Sequence, residues 1–178
     1  WMNEIGPLDY SKLPLYPVID REQQGTQGTQ GAQRVVLHID MDCFFVSVMC
    51  LGQPDLLNRP CAVAHSSGKG STSDISSCNY AARTRGCRNG MSIGRAKALV
   101  PELSVLPYDF DKITTVSKKV FTILYHASEL FQPVSVDEAY IELPPNTNGL
   151  AAAKILRKLI KDETGCNASA GVGPNKLL

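Results

Sequence analysis

The 178-residue sequence is short of several features that would fix its class early. No apolar run approaches the roughly 20 residues needed to cross a bilayer, so a soluble protein with no membrane partner is expected. No C-x-x-C pair and no zinc-like spacing links Cys43, Cys50, Cys61, Cys78, Cys87 and Cys166, and no secretory signal precedes them. They read as reduced, intracellular packing thiols. Net charge is lacking too. Lys and Arg number 18 against 17 Asp and Glu, and a balance of +1 gives no whole-chain case for a polyanionic partner. Acidic residues are absent from 75–101, however, where Arg83, Arg85, Arg88, Arg95 and Lys97 fall, so positive charge is concentrated locally and would attract a polyanion. Gly68-Lys69-Gly70-Ser71 lacks the G-x-x-x-x-G-K-[ST] order of a phosphate-binding loop and reads as an exposed loop.

Two acidic clusters are present instead, Asp40-Met41-Asp42 and Asp137-Glu138, each at the end of a short β-like apolar run. Carboxylates at strand ends face water or a neighbouring charge, so the pair predicts a shared cation and a substrate rich in negative oxygens. That chemistry is phosphoryl or nucleotidyl transfer. Val35 to Ile39 reads as a buried central strand, and Cys43 to Cys50 turns helical with Asp42 as its N-cap. Backbone N–H groups of Cys43, Phe44 and Phe45 would then point from a helix N-terminus, where a phosphate chain can be held.

Trp1 to Asp20 carries no sustained period, and Gln23 to Gln33, with its GTQGTQGAQ repeat, reads as a flexible linker. A strand at Cys61 to Ala64 and short helices at Asn79 to Arg85 and Ser92 to Val100 form a small inserted subdomain. Lys112 to Phe131 is apolar along one helical face. Pro133 to Leu143 reads as two strands joined tightly at Asp137-Glu138, followed by a helix at Leu150 to Glu163 and a strand at Ala168 to Val172. Without the insert this is the split βαβ order of an α+β, ferredoxin-like antiparallel sheet with helices on one face. Its first and third strands lie centrally and adjacent, which would bring Asp40 beside Asp137-Glu138.

Two Mg²⁺ ions about 3.5–4 Å apart suit such a site, with Asp40 and Asp137 bridging, Glu138 on the hydroxyl-side ion and the Met41 carbonyl on the other. Asp42 is a helix cap or a hydrogen-bond partner of the ligands rather than a ligand. Phe44 is a core ring; Phe45 is equally a core ring or a platform beneath a nucleotide sugar that excludes a 2′-hydroxyl. Ser77, Tyr80 and Arg83 could meet a triphosphate or form a solvated helix face, and Arg85, Arg88 and Arg95 belong on that face or on a DNA backbone. His38, His65 and His126 have no partner pattern and read as structural or surface groups.

VLHIDMDCFFVSV, SSCNYAARTRGCRNGM, SVDEAY and SAGVGPNKLL, in that order, make Val35 to Leu178 resemble the Y-family translesion DNA polymerases. DMDCFFVSV, the NGM after the fingers helix and LPYDF at Leu106 to Phe110 resemble most the eukaryotic branch that transfers deoxycytidylate. The resemblance implies an N-terminal extension and linker at 1–34, a palm at 35–53 and 106–178, and fingers at 54–105. It implies metal binding by Asp40, Met41, Asp137 and Glu138, with two Mg²⁺ ions and Mn²⁺ as a possible substitute. Nucleotide contacts fall to Asp42, Cys43, Phe44, Phe45, Ser77, Cys78, Asn79, Tyr80, Arg83 and Asn89, with Phe45 as the sugar gate. Primer-template DNA, dCTP, other translesion polymerases reached through regions outside this chain, and a nuclear location follow from the same resemblance. Met49 departs from it where many members carry Glu, and Tyr140 follows the general family pattern more than this branch. An arginine that pairs with dCTP is expected upstream of Trp1. A triphosphate-contacting lysine, the thumb and the little finger are expected beyond Leu178. Ordinary template-directed nucleotide selection and a non-catalytic, polymerase-recruiting scaffold are the rival expectations.

Overall fold

A computed structural model describes residues 33–66 and 73–177. The expectations for Trp1 to Asp20, for the linker up to Ala32 and for Gly68-Lys69-Gly70-Ser71 lie outside the described residues. The chain divides into two units, one running to Met41 and resuming at Ser117, the other spanning Asp42–Val116.

In the first unit, β1 (Val35–Met41), β5 (Leu130–Pro133), β6 (Glu138–Leu143) and β7 (Ala168–Gly173) form a four-stranded sheet in the order β5-β6-β1-β7. Every neighbouring pair is antiparallel, which is the ferredoxin-like arrangement the element order predicts. Alternation buries Leu37, Ile39 and Met41 with Ala139, Ile141 and Leu143, and leaves His38, Asp40, Glu138 and Tyr140 on the opposite face. Helix α6 (Gly149–Thr164) packs on β7 and β1 and buries Leu156 and Ile160. Its start is tight: a Cβ at Gly149 would lie 2.5 Å from Val172 Cγ1 and 2.9 Å from Val35 Cγ1. Asn148 caps that end through its side chain, and Gly165, at φ 74°, closes the other.

Helix α5 covers Phe110–Ala127, not Lys112 to Phe131. Ser128 Oγ accepts from the Leu130 N–H at 3.1 Å, and the chain turns there into β5. The helical period runs on in sequence because Phe131 folds back against the same helix face, its ring 5.6 Å from Phe121 and 6.4 Å from Tyr125. The following turn also differs. Val134 and Ser135 both donate to the Glu138 carbonyl, so the turn occupies 134–137 and Glu138 opens β6.

In the second unit, β2 (Cys61–Ala64) lies between antiparallel β3 (Ile75–Cys78) and parallel β4 (Ser104–Leu106). Neither β3 nor β4 is expected from sequence, because ISSC is serine-rich and SVL has only three residues to carry a period. The helices are α1 (Phe44–Met49), α2 (Pro54–Leu57), α3 (Tyr80–Arg83) and α4 (Ile93–Leu99). Ala62, Ile75, Cys78, Ala82, Ile93 and Val100 are among the core of this unit. Asp42 is not the cap of α1. Cys43 takes that position in the left-handed conformation (φ 49°, ψ 48°) with no side-chain capping bond, and Asp42 contributes its carbonyl to Ser47 Oγ at 2.8 Å. The six cysteines form no disulfide; Cys43 is half-buried and the other five are buried.

Candidate active site

The β1–β6 register sets Asp40 directly opposite Glu138. One step further, the Met41 N–H donates to the Asp137 carbonyl at 3.1 Å, so backbone pairing joins both acidic clusters at one end of two adjacent strands. Asp40 is exposed; Asp137 and Glu138 are half-buried. Met41 as a whole residue is 3% exposed.

The carboxylates are already engaged. Glu138 Oε1 lies 2.6 Å from His38 Nε2, and the His38 ring stacks on Tyr140 with centroids 4.6 Å apart. Asp137 Oδ1 accepts from Ser135 Oγ at 2.6 Å. His38 thus has a partner that sequence reading missed. The available signal was its i, i+2 relation to Asp40, which puts both on one strand face. Among the described residues no group of three or more His, Cys, Asp or Glu is gathered to hold a metal ion. One carboxylate oxygen of Glu138 is occupied by His38. The donor chemistry nonetheless fits a hard divalent cation: carboxylates and a main-chain carbonyl at one strand end are all oxygen ligands.

The remaining candidates lie in the second unit. Phe44 is buried, as expected. Phe45 is half-buried, its ring 5.6 Å from Tyr108 in an edge-on arrangement at 70°. Ser77 and Cys78 are buried on β3, and burial pushes the Cys78 thiol up, against the lowering effect of Arg83. Asn79 caps α3: its Oδ1 accepts from Ala82 N at 3.0 Å and from Cys61 N at 3.1 Å, while its Nδ2 donates to the Arg59 carbonyl at 2.7 Å. Asn89 Oδ1 accepts from Cys78 N at 3.2 Å. Tyr80 is 58% exposed, and the Arg83 guanidinium lies 5.8 Å from the centre of its ring. Arg83 Nε also donates to the Cys78 carbonyl at 2.9 Å. Arg85 pairs with Glu102, and Arg88 donates to the carbonyls of Arg83 and Cys87.

Against known proteins, the family model described as impB/mucB/samB matches residues 39–178. The chain belongs to the impB/mucB/samB family. Among relatives of this impB/mucB/samB chain, the DNA repair protein rev1 of Schizosaccharomyces pombe is 35% identical over 99% of it and 18% of the relative. DNA repair protein REV1 of Arabidopsis thaliana is 38% identical over 80% of it and 13% of the relative. DNA polymerase IV 1 of Bacillus subtilis is 37% identical over 83% of it and 36% of the relative. The chain therefore spans only a minor part of the curated relatives it matches. Among solved structures, DinB from Sulfolobus solfataricus superposes with a TM-score of 0.73 at 26% identity, covering 81% of this chain and 43% of that one. An insertion ternary complex of Dbh DNA polymerase gives 0.75 at 26%, covering 81% and 44%. The fold of this impB/mucB/samB member is that of Y-family palm and finger domains, and Y-family polymerases are divalent-metal dependent. No helix among the described residues is long and apolar enough to cross a membrane.

Proposed function

We propose that this chain is the N-terminal catalytic part of a translesion DNA polymerase that transfers dCMP from dCTP to a primer 3′-hydroxyl on template DNA. The observation carrying the proposal is the register that sets Asp40 opposite Glu138 and bonds Met41 to Asp137. Oxygen donors from two distant sequence segments share one strand edge, and the relatives named as DNA repair proteins and DNA polymerases give that edge a substrate class.

Asp40, Asp137, Glu138 and the Met41 carbonyl would hold two Mg²⁺ ions, or Mn²⁺ in their place. Such ions lower the charge on the attacking 3′-oxygen and on the departing pyrophosphate. Asp40 and Asp137 would orient the α-phosphate only through cations held by them, because the carboxylates alone repel it. Glu138 would turn from His38 toward the primer hydroxyl, which gives up its proton to water as its oxygen forms the new P–O bond and the bond to pyrophosphate breaks. Cys43, Phe44 and Phe45 present backbone N–H groups to the triphosphate from the start of α1, with Asp42 beside them. Tyr80 and Arg83 contact its outer oxygens from α3, supported by Ser77, Cys78, Asn79 and Asn89, and the Phe45 ring excludes a 2′-hydroxyl. The proposed palm comprises 35–53 and 106–178 around fingers at 54–105; the compact unit that contains those fingers is wider, Asp42–Val116. Primer-template DNA, dCTP, other translesion polymerases and a nuclear location complete the proposal.

Single-nucleotide primer extension by the full-length protein opposite each template base tests it. dCMP insertion opposite all four bases is the expected result, and a templated pattern with all four nucleotides would replace it with ordinary polymerase action. Identity at 37–38% to DNA polymerase IV proteins favours that second reading. Wild-type extension by a protein carrying Asp137→Ala and Glu138→Ala would leave only the scaffold role.

A further inference from the structure

Helix α1 has six residues, and its N-cap, Cys43, is left-handed and supplies no side-chain capping bond. Phe45, its second residue, lies in the first turn of that short helix. The ring is steadied from elsewhere. Tyr108, in the connection between β4 and α5, meets Phe45 edge-on at 5.6 Å. Tyr108 is itself held from both sides: the His65 ring at the end of β2 lies 4.8 Å away, and Phe110, the first residue of α5, stacks at 4.9 Å and 7°. Its connection is pinned by the next residue, because Asp109 Oδ1 accepts from Lys112 N at 2.9 Å and so caps α5. A ring that is edge-on to a stationary partner loses rotamer freedom, and such pairs contribute beyond the area they bury.

We infer that Tyr108 is a positioning residue for sugar selection, holding Phe45 in the rotamer that excludes a 2′-hydroxyl. This rests on the reading of Phe45 as the sugar gate. Tyr108 touches neither sugar nor phosphate in this role, and its effect on selectivity passes entirely through the Phe45 ring.

The test is steady-state insertion of dCTP against CTP by the full-length protein on one primer-template, with discrimination expressed as the ratio of the two kcat/KM values. That ratio is internal to each preparation and does not depend on the fraction that is folded. Phe45→Ala is expected to lower it about a hundredfold. Tyr108→Ala should lower it about three- to tenfold, through a smaller KM for CTP with kcat for dCTP little changed. Tyr108→Phe keeps the ring and should keep the ratio. The double variant Phe45→Ala, Tyr108→Ala should match Phe45→Ala alone. Should Tyr108→Ala fail to fold, Tyr108→Leu retains the apolar bulk without the ring edge and carries the same expectation. A wild-type ratio in the Ala or Leu variant overturns the positioning role, as does a further loss when either is added to Phe45→Ala. Unchanged discrimination in Phe45→Ala itself removes the gate reading beneath it, a failure distinguishable from that of Tyr108.

Discussion

On the open face of the four-stranded sheet, Asp40, Glu138 and Tyr140 stand where strand alternation leaves side chains toward solvent, and backbone pairing alone brings the acidic clusters together. In the three-stranded sheet the arrangement is reversed. There Asn79, Asn89 and Arg83 spend side-chain groups on the main chain of Cys61, Cys78, Ala82 and Arg59, and they hold the subdomain's own turns. A strand in a regular ladder needs no polar side chain to set its geometry, so its outward positions are available for chemistry. Short elements such as α3 and β3 have little ladder to rely on and recruit side chains instead. Polar side chains thus stand at an exposed strand edge, where the proposed chemistry would use them, in one unit, and hold turns in the other.

Substitutions can break or sharpen this contrast. The largest expected effect is Asp137→Ala, which should lower primer extension by the full-length protein on the order of a thousandfold while leaving its melting temperature within about a degree or two. A large drop in melting temperature would mean that the carboxylate is architectural after all. Asn79→Ala should do the opposite in kind. It leaves N–H groups of Cys61 and Ala82 without their acceptor and should cost about 2–3 kcal/mol in urea unfolding, a loss that Asp137→Ala should not share. Gly149→Ala probes the first unit away from its acidic edge. The added methyl meets Val172 and Val35, and a loss of about 1–3 kcal/mol should appear without any change in KM. The smallest effect is on pH dependence. Burial holds the His126 imidazole below its ordinary value, so the unfolded chain takes up the proton more readily. Its share of stability is present above the unfolded pKa of about 6.5 and declines as pH falls below it. Urea midpoints at about pH 7.5 and about pH 5.5 should differ less in His126→Leu than in the wild type.

The contrast also accounts for what sequence reading could reach. The four-stranded sheet is legible because β1 opens as a β-branched-rich apolar run, β6 alternates over six residues, and both carry carboxylates at their meeting ends. Its order follows from the succession of elements, and with it the meeting of Asp40 and Glu138. Phe131 misleads because helix and sheet give it the same apolar neighbours. β3 and β4 are invisible because their residues hydrogen-bond and pack through partners far along the chain. Tyr108 escapes notice for a similar reason: its neighbours Phe45 and His65 come from other elements, and no periodicity connects them.

The bond from Met41 N–H to the Asp137 carbonyl separates shape from charge at this edge. Because the backbone, not the carboxylates, fastens one strand end to the other, all three acids can be neutralised without unzipping them. A full-length protein carrying Asp40→Asn, Asp137→Asn and Glu138→Gln would therefore keep a site of nearly native outline that has lost its turnover. Under the proposed function such an inert replica would separate the grip on DNA from turnover, because only the second would need cations at these three positions.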